Sequence, residues 1–136
     1  MQRIAKFHKV SFEQFKADWA DTFPDTPEEE IIHIYEGIRL PARATSGSAG
    51  YDFFTPVPLT LAPGENMKVP TGIRAEIDAG WVLQIFPRSS LGFKFRLQPV
   101  SYTHLGGAGK GAEDAHGGGG IFLHRGPGKG ACGNIL

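Results

Sequence analysis

Two short segments carry residue types that could act together on a phosphorylated ligand. Ala49-Gly50-Tyr51-Asp52-Phe53 follows a Ser46-Gly47-Ser48 loop and reads as the opening of a strand. A glycine beside an acid at such a place permits close backbone approach, and the Asp52 carboxylate could hold a hydrated Mg2+ near a triphosphate. Pro87-Arg88-Ser89-Ser90-Leu91-Gly92 follows the apolar run from Trp81 to Phe86. Arg88 offers a fixed fork of donors for phosphate oxygens, and Ser89 and Ser90 add hydroxyls and successive backbone N–H groups that can complete an anion nest. Each segment alone has a plainer reading: an aspartate closing a turn, and a turn with one exposed arginine.

The elements that must position these residues follow a period of two from Ile38 onward. Ile73, Ala75 and Ile77 alternate with Arg74 and Glu76, and Trp81, Leu83 and Ile85 alternate again after the Asp78-Ala79-Gly80 turn. By pattern this is a β-hairpin, with the Arg88 segment at the end of its second strand. Pro63-Gly64 marks another turn, and Pro41, Pro56 and Pro58 punctuate strands too short for the centre of a parallel sheet. Short strands with frequent turns predict a mainly β fold of the sandwich, jelly-roll or barrel kind.

The first 37 residues read as a helical extension. Ser11 and Gln14 form a capping box, and Val10 with Phe15 is spaced to staple the chain into a helix over about residues 11 to 22. Phe12, Phe15 and Trp19 share one face of it, the spacing of a core contact. Thr26 is the expected N-cap of a second helix, with Pro27 in its first turn and Gly37 at its end. Glu28, Glu29 and Glu30 read as a solvated turn at the positive end of that helix rather than as a metal site.

Composition narrows the partners. Lysine plus arginine and aspartate plus glutamate number 14 each, so no net field favours nucleic acid or an anionic membrane. An anionic ligand requires a local site. Cys132 is the single cysteine and can form no internal disulfide; no run approaches the roughly 18 apolar residues of a membrane span. Nothing near Met1 reads as a signal segment, and the expected setting is cytoplasmic.

Twelve of the 19 glycines lie from Gly106 onward, which divides residues 38–98 from a tail over 99–136. Gly109-Lys110 and Gly128-Lys129 lack the spacing of a phosphate loop, and neither lysine precedes serine or threonine. His104, His116, His124 and Cys132 lack zinc-ligand spacing. Pro99 to Leu105 resembles translated adapter or vector sequence, and abundant Gly, Ala, Arg and Pro is what a wrong reading frame of G/C-rich DNA yields. The tail is therefore read as non-native or disordered, without a regular core.

In this order, the Asp52 and Arg88 segments resemble the first and second signature motifs of the homotrimeric dUTP diphosphatase family. Leu40-Pro41-Ala42-Arg43-Ala44-Thr45, Val69-Pro70-Thr71-Gly72-Ile73 and Asp78-Ala79-Gly80-Trp81 resemble its entry strand and the stretch between the motifs. The resemblance covers about residues 1 to 98, in a bacterial branch with an N-terminal helical extension. It implies a partial jelly-roll-like barrel and a homotrimer with active sites at subunit junctions. It also implies Mg2+-dependent hydrolysis of dUTP to dUMP and pyrophosphate. Asp52 would hold Mg2+ through water, and Arg88, Ser89 and Ser90 would grip the phosphates.

The family's hairpin with the water-activating aspartate has no counterpart after Gln98, and Asp114 has no hairpin pattern around it. No residue is assigned as catalytic base, and the 136-residue chain is expected to be an inactive fragment. Two alternatives stand beside this reading. A dCTP deaminase-like enzyme also carries an Arg-Ser-Ser segment, although Pro87, Phe93-Lys94 and Ala-Gly-Tyr-Asp fit the diphosphatase better. A non-catalytic β-fold interaction module would use the apolar helices on a partner.

Overall fold

A computed structural model describes residues 3–100 and 120–125. Its elements run β1 (Ala5–Lys9), α1 (Phe12–Thr22), α2 (Glu28–Glu36), β2 (Asn66–Pro70), β3 (Ile73–Ile77), α3 (Ser89–Phe95), β4 (Leu97–Val100) and β5 (Gly120–Arg125). Every strand pair is antiparallel: β1 with β3 in one sheet, and β2, β5 and β4 in that order in another. The sheets and helices make a partial β architecture, with no closed barrel among the described residues.

Helix α1 begins at the expected N-cap, but only half of the expected capping box forms, since the Gln14 side chain donates to Asp18 at 3.0 Å. The Ser11 side chain accepts from the Gln14 backbone N–H at 3.2 Å, satisfying one of the donors a helix start leaves unpaired. Its Phe15 and Trp19 are buried, and with Ile31, Ile38 and Ile73 they form one hydrophobic cluster. A second cluster holds Leu59, Leu61, Val69 and Leu97. Phe23 and Val57 pack against both, so the helical extension and the β segment share a continuous apolar interior. Lys16–Glu28 at 2.7 Å and Lys68–Asp21 at 2.9 Å are surface pairs and add little to that interior.

The start of α2 corrects an expectation. Pro27, not Thr26, occupies the N-cap, and no side chain caps the helix. The Thr26 hydroxyl instead accepts from Trp19 Nε1 at 3.0 Å and donates to the Phe23 carbonyl at 3.0 Å. A buried indole N–H requires an acceptor, and Thr26 meets that need while tying α1 to the connection.

The expected hairpin is also corrected. The turn forms, with Gly80 at φ +89° and the Trp81 N–H donating to the Asp78 carbonyl at 3.3 Å. Beyond it residues 81–88 are irregular, and β3 pairs with β1, from Ala5 opposite Ile77 to Lys9 opposite Ile73. Alternation states which side chains share a face but not which segment supplies the ladder.

The tail departs from its expected irregularity at two points, the end of β4 at Val100 and strand β5. Gly120–Arg125 inserts between β2 and β4, with Met67 opposite Leu123 and Gln98 opposite His124. Ile121-Phe122-Leu123 is a short β-favouring run inside glycine-rich surroundings, long enough to pair on both sides. The readings placed on Asp114, His104, His116 and Cys132 lie outside the described residues.

Candidate functional site

The Asp52 segment is held from both sides. Asp52 and Ala42 exchange backbone hydrogen bonds, Asp52 N–H to Ala42 O at 2.8 Å and Ala42 N–H to Asp52 O at 3.3 Å. The preceding loop closes on itself where the Ser48 Oγ accepts from the Thr45 N–H at 3.1 Å and meets Thr45 Oγ1 at 2.9 Å. Phe7 of β1 packs edge-on against Tyr51 and Phe53 with centroids 5.4 Å away in each case. The neighbours of Asp52 are thus anchored by aromatic contact, and its backbone by an isolated bridge. Its carboxylate is half-buried and has no ion-pair partner among the described residues.

Arg88 is exposed and sits at the N-cap of α3, where its carbonyl accepts from the Leu91 and Gly92 N–H groups at 2.9 and 3.0 Å. The end of a β-strand, its expected place, is replaced by the end of an irregular segment. Ser89 and Ser90 form the exposed first turn of α3.

Asp52 and Arg88 line the same open depression, of about 1230 Å³. Ser89 and Ser90 are not among its lining residues. The wall also carries Arg3, Lys6 and Arg43, against Asp52 as its single carboxylate among the described residues. Arg43 is partly engaged: its guanidinium carbon lies 5.2 Å from the Tyr51 ring centroid and its Nη1 donates to the Ser46 carbonyl at 3.5 Å. Four cations around one carboxylate, in a chain with no net charge, make a local field suited to a polyanion. Sequence reasoning missed Arg3 and Lys6, because only pairing of β1 with β3 brings them to this wall.

The donor set also fits a divalent cation bound mainly by ligand oxygens and water. One unpaired carboxylate is a normal protein share of a Mg2+ site beside phosphates, whereas an all-protein cage needs several ligands. Among the described residues no group of three or more His, Cys, Asp or Glu side chains could hold a metal by itself. Nor is any helix among them long and apolar enough to cross a membrane.

A dUTPase family profile matches residues 36–102. The deoxyuridine 5'-triphosphate nucleotidohydrolase of Sinorhizobium medicae (strain WSM419) is 46% identical over 79 residues, covering 55% of this chain and 49% of the relative. That of Lactococcus lactis subsp. lactis (strain IL1403) is 43% identical over 63 residues, covering 45% and 42%. That of Chlamydia felis (strain Fe/C-56) is 37% identical over 73 residues, covering 52% and 50%. The chain spans about half the length of the curated relatives it matches. These matches favour the diphosphatase resemblance over the deaminase alternative, and they leave β1 and most of the two helices outside the profile. Both Asp52 and Arg88 fall inside the stretch, residues 36–102, over which this chain is similar to the dUTPase family.

Proposed function

We propose that this chain carries the metal- and phosphate-facing part of a site for hydrolysis of dUTP to dUMP and pyrophosphate. The observation behind this reading is the meeting of Asp52 and Arg88 on one cationic depression. Arg88 presents two parallel N–H donors to phosphate oxygens, and Ser89 and Ser90 are proposed to extend that grip from the adjoining turn. The Asp52 carboxylate orients the water shell of a divalent cation, which we take to be Mg2+. Mg2+, when bound, neutralises charge on the triphosphate during in-line displacement.

Attack of water at the α-phosphorus breaks the bond to the bridging oxygen, and pyrophosphate leaves. The attacking water must also lose a proton. Asp52 is the one carboxylate lining the depression among the described residues, and in this reading it would hold the water shell of the cation. In this reading the described residues supply metal and phosphate contacts, and no second carboxylate among them lines the depression to accept the proton. A general base contributes typically about 100- to 10,000-fold, so turnover by the 136-residue chain falls at least about that far below a complete family enzyme. Assembly as a homotrimer, implied by the family resemblance, and a cytoplasmic setting, expected from the sequence, belong to the same proposal.

A pyrophosphate-release assay on the purified chain, beside one of the curated relatives, tests the reading. The expected result is Mg2+-dependent release by the relative and at least about a hundredfold less by the chain. Release of pyrophosphate from dUTP by the chain at the relative's rate would show that a base exists which the wall of the depression does not reveal.

A further inference from the structure

We propose that Arg3, on the N-terminal segment outside the family-matched stretch, is a phosphate-binding residue of the Asp52–Arg88 depression. This rests on the reading of that depression as a nucleotide site and adds a residue to it.

Strand β1 carries Arg3 there by ordinary sheet geometry. Its ladder with β3 runs from Lys9 to Ala5, and one more hydrogen bond, from the Asp78 N–H to the Ile4 carbonyl at 2.9 Å, carries the pairing to the residue beside Arg3. Alternation places Arg3 on the same face as Ala5 and Phe7. Phe7 is the residue that packs against Tyr51 and Phe53, on either side of Asp52, so this face of β1 is turned toward the site segment. Arg3 lines the depression together with Asp52, Arg43 and Arg88.

The cations on the wall differ in their commitments. Arg43 is held over Tyr51 and by the Ser46 carbonyl. Lys6 stands opposite Glu76 on β3, whose carboxylate is bonded to His8 at 3.0 Å, and alternation puts Lys6 on the other face of β1 from Arg3. Arg3 is exposed and has neither an ion pair nor a hydrogen bond among the described residues. An uncommitted guanidinium at the edge of a cationic depression is suited to the terminal phosphates of a nucleoside triphosphate, where charge is densest.

Titration calorimetry with inorganic tripolyphosphate, at low salt, tests this on the full chain and on the variants Arg3→Ala, Arg3→Lys, Arg88→Ala and Lys16→Ala. Lys16 lies on α1 and pairs with Glu28, so its variant controls for the loss of one positive charge elsewhere. The expected result is about fivefold weaker binding for Arg3→Ala, as for one exposed charge-assisted contact, partial recovery for Arg3→Lys, and no change for Lys16→Ala. Weakening by Arg88→Ala but not by Arg3→Ala would overturn the role of Arg3 and leave the phosphate site standing. Equal weakening by Arg3→Ala and Lys16→Ala would reduce the effect to net charge and overturn it as well. Failure of the unaltered chain to bind tripolyphosphate would overturn the site and Arg3 together.

Discussion

A β-carbon on Gly72 would lie 3.0 Å from Phe15 Cδ2 and 2.5 Å from Ile38 Cδ1. Gly72 belongs to the family-matched stretch and Phe15 to the helix outside it, so this contact is where the extension seats on the β segment. The backbone adds its own demand, because Gly72 has φ +67° and its carbonyl accepts from the Val10 N–H at 2.9 Å. Gly72→Ala is expected to cost about 2 kcal/mol or more, from left-handed strain of about 1–2 and overpacking of about 1–3 kcal/mol. Urea unfolding of the two proteins checks this, and an unchanged midpoint would mean the helix is not seated on Gly72.

Thr22 offers the opposite case. Its Oγ1 is buried and has no hydrogen-bond partner among the described residues. A hydroxyl deprived of water and of a partner opposes folding, and a methyl group of the same shape removes that penalty. Thr22→Val is expected to raise stability by about 1 kcal/mol, read as a higher thermal midpoint. Destabilisation of similar size would show that the hydroxyl is engaged.

The helices were the most legible part of the fold. Ser11, Gln14 and the Phe12, Phe15 and Trp19 stripe state a start and a buried face within one short stretch, and the structure uses both. Strand β1 was not legible, because Ala5-Lys6-Phe7-His8-Lys9 has one large apolar residue and becomes a strand only through pairing with β3. Trp81 to Phe86 alternates as a strand should yet is irregular, although β3 is paired on one edge only among the described residues. At the site, the type and order of Asp52 and Arg88 were legible locally, and their shared depression required the chain to fold.

The irregular segment leaves a large apolar surface in water. Trp81, Val82 and Phe86 are 59%, 80% and 75% exposed, and Phe93 is 88% exposed. Contiguous apolar residues at this exposure favour self-association. Sedimentation velocity is expected to show concentration-dependent association of the chain, reduced in the double variant Val82→Lys, Phe86→Lys. A single monomeric species for the unaltered chain across the concentration range would contradict this.

Coupling between Asp52 and Arg88 is the most direct measure of whether they serve one triphosphate. Binding of dUTP with Mg2+ to the chain, to Asp52→Asn, to Arg88→Ala and to the double variant completes a mutant cycle. Residues that share a ligand couple by about 0.5 kcal/mol or more, whereas independent sites add. The predicted result is about tenfold weaker binding for Arg88→Ala, Mg2+ dependence that is lost with Asp52→Asn, and a double variant weakened by less than the product of the two. Binding indifferent to both substitutions, or effects that simply multiply, would contradict a shared metal and phosphate site at this depression.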